Sequence, residues 1–335
     1  MVRKACKYRM FQLFSSALAM FIVMFSLSVF PAMAGEVAGQ KSFASPQQTV
    51  AALVAAVQEN DDAALLSILG PGSEYLISSG DKVADQKGRA RFLKAYREKN
   101  RLDQENDNRA VLIVGNKDYP FPIPIVRQVE AWRFDTQAGM DEILNRRIGR
   151  NELHTIDVML AYTDAQREYA SMARNGGGKE FAQKFASSDG SKDGLYWQIG
   201  EDEAESPFGP LIARATSEGY AGGLDQTPPE SFHGYYFKIL KAQGRHANGG
   251  AFDYVADGKM VLGFALIAYP AKYGASGIMT FIVNQEGVIY EKDLGKETAT
   301  AAAAMTAFDP DDTWHRYEEP SETGEKGGKE VSSKK

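Results

Sequence analysis

The sequence predicts an α+β protein in two halves, with a helix-rich N-terminal half over residues 35–187 and a C-terminal half over 188–317 built on a four-stranded antiparallel meander packed on a helix. Apolar residues recur at helical spacing through much of the first half. Four strand-like runs separated by turn residues occupy the second. A glycine- and proline-bearing stretch from about 188 to 231 marks the seam between them.

Ser45-Pro46-Gln47-Gln48 predicts a helix start, because Ser45 can cap, Pro46 suits the first helical position and Gln48 completes a capping box. Val50, Leu53, Val54 and Val57 follow at helical spacing. A second short helix is expected from Asp61 or Asp62, carrying Leu65, Leu66 and Leu69 and stopped by Gly70-Pro71-Gly72. This helix pair ahead of a mixed segment resembles the entrance to the cone-shaped α+β fold of the nuclear-transport-factor-2 type. A third helix is expected over 88–99 with Phe92, Leu93 and Tyr96 inward, and then a buried strand over 110–114 ending at Gly115-Asn116. Pro120, Pro122 and Pro124 forbid a central strand over 119–126 and favour an extended edge. Trp132-Arg133-Phe134-Asp135 alternates as a strand does.

From Met140 the pattern turns helical, with a break expected at Gly149 and a long amphipathic helix from Asn151 to about Arg174. Its expected buried face is Leu153, Ile156, Leu160 and Thr163, its polar stripe Asp157, Asp164 and Glu168, and its stop Asn175-Gly176-Gly177-Gly178. One short helix is expected near 210–218. The meander strands are expected at 233–240, 259–269, 278–284 and 287–292, with a turn at Asn284-Gln285-Glu286-Gly287. These strands resemble the globular sheet of pilin-type proteins. A short helix over 299–307 follows, and the polar tail 318–335 is expected to be disordered.

Residues 1–34 carry Arg3, Lys4, Lys7 and Arg9, an apolar run from Phe11 to Phe30, and Pro31-Ala32-Met33-Ala34. A charged start, an apolar middle and an Ala-x-Ala ending predict a secretory signal peptide cleaved after Ala34. An apolar run of about 20 residues could also span a bilayer, but Pro31 and the small residues suit a peptidase site better. The expected location is therefore the periplasm, or outside the cell. Cys6, the only cysteine, lies in that segment, so the mature chain forms no disulfide and no thiolate metal site. Removing four basic residues from a chain of net charge −6 leaves −10. That balance argues against nucleic acid or anionic lipid as a general partner, and no stable membrane insertion is expected after cleavage.

The densest polar cluster is Arg146, Arg147, Arg150, Asn151, Glu152, His154 and Asp157. Two readings of it stand. Guanidinium forks near a helix start can hold a carboxylate, phosphate or sulfated sugar, with His154 and Asp157 one turn apart as an acid/base pair. The same residues can instead form an interdomain salt-bridge network with Glu152 pairing an arginine. The acidic stripe Asp157, Asp164 and Glu168 reads as a solvated face, because acids on one straight helix lack the convergence of a calcium cage. His154, His233, His246 and His315 show no zinc-helix spacing, and no Gly-x-Ser-x-Gly elbow occurs, so neither a metal nor a cofactor is expected. Trp197, Tyr235, Tyr236, Phe252, Tyr254 and Tyr269, with His233 nearby in sequence, are further candidates for a sugar or peptide platform, or else core and sheet-face packing. Glu152 with Asp157, or Asp253 with Asp257, would suit glycoside hydrolysis if they faced each other across a cleft.

Arg146-Arg147-Ile148-Gly149-Arg150-Asn151-Glu152-Leu153, Asp164-Ala165-Gln166-Arg167-Glu168-Tyr169, Asp193-Gly194-Leu195-Tyr196-Trp197, His233-Gly234-Tyr235-Tyr236-Phe237, Gly263-Phe264-Ala265-Leu266 and Ala268-Tyr269-Pro270 resemble, in order, one exported bacterial family, domain-of-unknown-function family 2950. The resemblance runs over roughly residues 40–317. It implies an exported protein and assigns no catalytic residue. The function expected is therefore a non-catalytic periplasmic binding or protein-interaction module, whose partner is another envelope protein or a small anionic or wall-derived ligand. A periplasmic hydrolase of a wall glycan or peptide and an accessory subunit of a pilus-like surface assembly are the alternatives.

Overall fold

Residues 39–172, 179–199, 205–220 and 230–318 are described by the computed structural model. The expected signal with its cleavage after Ala34, the stop at 175–178, parts of the seam and the tail beyond 318 lie outside the described residues.

Helix α1 (Pro46–Glu59) starts where Ser45 accepts the Gln48 N–H, and α2 (Asp62–Leu69) starts on the Asp61 carboxylate. A one-turn helix, α3 (Glu74–Ile77), follows. Helix α4 (Lys82–Glu98) begins six residues before the expected start, because Asp81 caps it and its first turns carry too few apolar residues to show periodicity. Strand β1 (Asn100–Asn106) escapes sequence reading altogether: it is a polar edge strand with no alternation, held by its antiparallel pairing to β2 (Arg109–Val114). Short β3 (Tyr119–Pro120) also pairs with β2. Strand β4 (Ile125–Gln128) lies between β2 and β5 (Ala131–Phe134). It can be central because all three prolines precede it. Val50, Leu53, Leu65 and Ile68 from the helices pack on Leu112, Ile125 and Phe134 of this sheet as the first core.

Helix α5 (Thr136–Ser171) is one unbroken rod of 36 residues, about 54 Å long at 1.5 Å per residue. The break expected at Gly149 does not occur. A glycine in a helix interior costs only about 1 kcal/mol, and α5 is held at both ends: Ile143 packs against the first core, while Ile156 to Tyr169 enter the second. The buried face also differs from expectation. Leu153 and Leu160 are 55% and 41% exposed, while Asn151, Thr155, Met159, Tyr162 and Gln166 are buried with Ile156 and Thr163. Specific hydrogen bonds rotate the rod this way: Asn151 donates to Ser276 O at 2.9 Å, Tyr162 to Ala265 O at 3.2 Å, and Gln166 to Ala182 O at 2.8 Å. Hydrophobic spacing alone does not register such bonds. Asp157, Asp164 and Glu168 face solvent.

Helix α6 (Gly209–Ser217) leads to the second sheet. Strand β6 (Tyr235–Leu240) is followed by two small hairpins, β7 (Ala242–Gln243) with β8 (Phe252–Asp253) and β9 (Val255–Ala256) with β10 (Lys259–Met260). The run expected as one strand over 259–269 is thus divided, since β11 (Ala265–Pro270) starts afresh beside β6. Strands β12 (Met279–Asn284) and β13 (Ile289–Asp293) continue the meander. After α7 (Thr298–Ala304), β14 (His315–Arg316) adds a fifth, edge strand, giving the order β14-β13-β12-β11-β6. The fold is therefore α+β, with helices mostly in the N-terminal half and antiparallel sheets. No helix among the described residues is long and apolar enough to cross a membrane.

The second core gathers α5, Phe185, Leu195 and Phe208 on the buried faces of β6, β11 and β12. Asp81 is the strongest tie between the N-terminal helices and this region. Its side chain is 1% exposed. Oδ1 accepts the Ala84 N–H at 2.8 Å, and Oδ2 accepts both the Tyr220 hydroxyl and the Gly234 N–H, each at 2.8 Å. Gly234 is required there: its φ is +79°, and a Cβ would meet Asn151 and Ser276 below contact distance.

Two outcomes follow from this packing. Asp81→Asn places an amide donor against existing donors and should destabilise the protein by roughly 2–4 kcal/mol in denaturant titration. Gly149→Ala should stabilise it by about 0.5–1 kcal/mol, because a Cβ at that position meets nothing within 4 Å.

Candidate functional site

The seven-residue polar cluster on α5 is divided by the helix into different surroundings. Arg146 pairs with Glu142 at 2.5 Å on the surface and lies over the Tyr119 ring. Arg147 turns inward and donates to the Tyr75 and Leu76 carbonyls at 2.6 and 2.9 Å. Burial holds its proton affinity below the ordinary guanidinium range, with Asp85 opposing and Arg150 adding to the effect. Asn151 and Glu152 both serve the entrance to β12. Glu152 Oε1 accepts the Ile278 and Met279 N–H groups, each at 3.0 Å, and Tyr235 donates to Met279 O at 2.9 Å and toward Glu152 at 3.4 Å. Glu152 therefore pairs no arginine and does not face the exposed Asp157.

Of the aromatic candidates, Tyr235 and Trp197 are packed inward, while Tyr236 and Tyr269 are partly exposed with ring centroids 5.6 Å apart. Tyr235 is fully buried and Trp197 is 7% exposed. Burial and the nearby Glu152 push the Tyr235 hydroxyl well above the ordinary phenol range. The Trp197 Nε1 has no hydrogen-bond partner among the described residues, and its ring is flanked by the Lys192 ammonium at 5.4 Å.

Arg150 and His154 meet residues that the sequence reading omits. Arg91 on α4 and Arg150 on α5 carry no hydrogen bond or ion pair among the described residues, and both are exposed. Burial of its surroundings and the charge of Arg91 together lower the proton affinity of Arg150. Beside them the His154 and His233 rings stack, with centroids 4.5 Å apart and planes 23° from parallel. Arg214 Nη2 lies 3.4 Å from His154 Nδ1 and Arg214 Nε 3.3 Å from Glu218 Oε1. Glu218 also receives Lys87 at 3.7 Å and lies 3.1 Å from His233 Nε2. Burial opposes its charge, but His233, Arg214 and Lys87 still hold its carboxyl below the usual range.

His233 is placed by backbone strain and by packing. Its φ is +50°, its N–H donates to the Tyr220 hydroxyl at 3.2 Å, and its ring sits among Phe232, Tyr220 and His154. Burial and then His154 push the imidazole down to about 4. The contact with Glu218 is therefore made by a neutral ring at pH 7, and Nε2 is not aligned for a hydrogen bond. His154 is also lowered, by burial and then by Arg214, with Asp157 and Glu218 opposing.

Lys87 and Arg91 are four residues apart on α4, and Glu218, the C-cap of α6, follows Arg214 by four residues. That spacing marks a charged helix face. Nothing in it says that the two faces meet α5 at His154.

Residues 40–317 match the family described as Protein of unknown function (DUF2950). No curated protein and no solved structure matches the chain.

The folded state keeps His233 neutral, so its contribution to stability is complete above the ordinary imidazole value of 6.5 and is lost as the pH falls toward about 4. The expected loss over that window is roughly 2–4 kcal/mol. His233→Asn, which tolerates the left-handed backbone, should flatten this part of the stability-versus-pH curve measured by urea unfolding.

Proposed function

We propose that this chain, which belongs to the DUF2950 family, is a non-catalytic binding module of the cell envelope that takes an oxyanion, a carboxylate or phosphate, on Arg91 and Arg150. The observation that carries this reading is the pair itself: Arg91 and Arg150 are exposed on different helices, the charge of the first acts on the second, and neither has an acidic partner among the described residues. Surface cations in an acidic protein of net charge −6 have many carboxylates to pair with. Leaving two like charges side by side has an electrostatic cost, which an anion between them would reverse. Guanidinium forks also match the planar geometry of carboxylate and phosphate oxygens. Arg214 stands at the edge of the same patch, held only by exposed contacts to Glu218 and His154.

The two readings of the arginine cluster then belong to different residues. Arg147 is structural, spending its donors on the last carbonyls of α3. Arg150 is available. The envelope location rests on the signal-like pattern of residues 1–34 and on the family's exported character. A hydrolase built on Glu152 has less support, because the Glu152 carboxylate is occupied by two backbone amides.

Arg91→Gln and Arg150→Gln, singly and together, should leave the melting temperature level or slightly higher. Both should abolish the stabilisation given by sulfate, phosphate or carboxylated wall peptides in a thermal-shift panel that includes neutral sugars. Arg147→Gln should instead cost about 1–3 kcal/mol while keeping the anion response. An anion response that survives the Arg91/Arg150 double substitution would place the ligand elsewhere.

A further inference from the structure

We propose that anion binding at Arg91 and Arg150 is coupled to proton uptake by the stacked pair His154 and His233, with Arg214 as the moving link; this rests on the anion reading above. A guanidinium has donors only, so with Arg214 Nη2 3.4 Å from His154 Nδ1, that nitrogen must be the unprotonated one. A second proton on His154 requires Arg214 to leave. Arg214 is about half exposed, and an oxyanion seated on Arg150 and Arg91 offers it a stronger partner than a neutral ring nitrogen.

The same movement acts on His233. Arg214 shares Glu218 with Lys87, so its departure removes one of the cations on that carboxylate. Glu218 Oε2 already lies 3.1 Å from His233 Nε2, a buried nitrogen that has no hydrogen-bond partner among the described residues. A proton on Nε2 would turn that contact into a charged hydrogen bond. The two rings stack at 4.5 Å, so a proton on one opposes a proton on the other, and the pair takes up about one.

The charged and titratable groups around the pair are few. Helix α5 presents Arg150 and Asp157, α6 and its C-cap present Arg214 and Glu218, and α4 presents Lys87, while Arg91 acts on Arg150. Tyr220, hydrogen-bonded to Asp81, adjoins His233 from its backbone side. Burial first, and then the surplus of cations over acids here, lowers the proton affinity of both rings. An incoming anion reverses that balance, and by linkage a proton must then favour the anion to the same degree.

Sulfate is a suitable probe, because it does not titrate in the range of interest. Calorimetric titration of the protein with sulfate near pH 6, in buffers of different ionisation enthalpy, should show uptake approaching one proton per anion. The affinity should rise about three- to tenfold from pH 7.5 to pH 5.5. The chain has four histidines, so their ring signals can be followed by NMR without a substitution that risks the fold. Two of the four should titrate at higher pH in sulfate than in chloride, and the change should vanish in the Arg214→Gln variant. Sulfate binding that needs Arg91 and Arg150 but takes up no proton would overturn the coupling and leave the anion site standing. Absence of any arginine-dependent sulfate binding would overturn both.

Discussion

The Asp81 carboxylate, almost wholly buried, holds together the parts on which the rest of this structure depends. One oxygen caps α4 and the other receives Tyr220 and Gly234. A buried carboxylate is tolerated at this point because three donors converge on it, one of them at the positive end of a 17-residue helix. The consequence reaches well beyond the cap. Starting α4 at Lys82 sets the rotation of Lys87 and Arg91. Fixing Gly234 and Tyr220 places His233 and the end of α6. Every segment of the candidate site except α5 is thus positioned through one side chain.

Helix α5 supplies the second constraint. It runs from the first core into the second without a break, and its polar residues do much of the docking. Asn151 and Glu152 organise the approach to β12, Tyr162 and Gln166 reach the backbone at Ala265 and Ala182, and Arg147 closes α3. With those side chains spent on structure, Arg146, Arg150, His154 and Asp157 are the ones left toward solvent, and Arg146 is paired with Glu142. Selection by packing, rather than by residue type, separates scaffold from candidate site within a cluster of seven similar residues.

The electrostatics of that site run against the chain as a whole. The protein is acidic, yet among the described residues Arg91 and Arg150 have no acidic partner while Lys87, Arg214 and His233 share Glu218. The stacked histidine pair, its proton affinities lowered first by burial, lies beside these charges, and its protonation responds to them. Arg214, touching both His154 and Glu218, is the contact through which that dependence would pass.

Sequence alone determines the elements whose signals are local. Ser45, Asp61 and the apolar residues after them specify α1 and α2, and the turn residues after Asn284 specify the β12–β13 hairpin, because caps and turns involve neighbours in the chain. The membership of the family is equally local, read from short motifs in order. Strand β1 is hidden because its reason to be a strand lies in its partner, not in its own polar residues. The rotation of α5, its continuity through Gly149 and the burial of Tyr235 are likewise decided by surfaces distant in sequence. For the site, the spacing of Arg147, Arg150 and His154 gives the candidates, but three residues apart on a helix is enough to send one inward and leave the next exposed. Only the tertiary structure, by bringing α4, α6 and the turn at His233 onto α5, decides which arginine lacks a partner and which two histidines meet, since a charge's neighbours are set by packing across the chain.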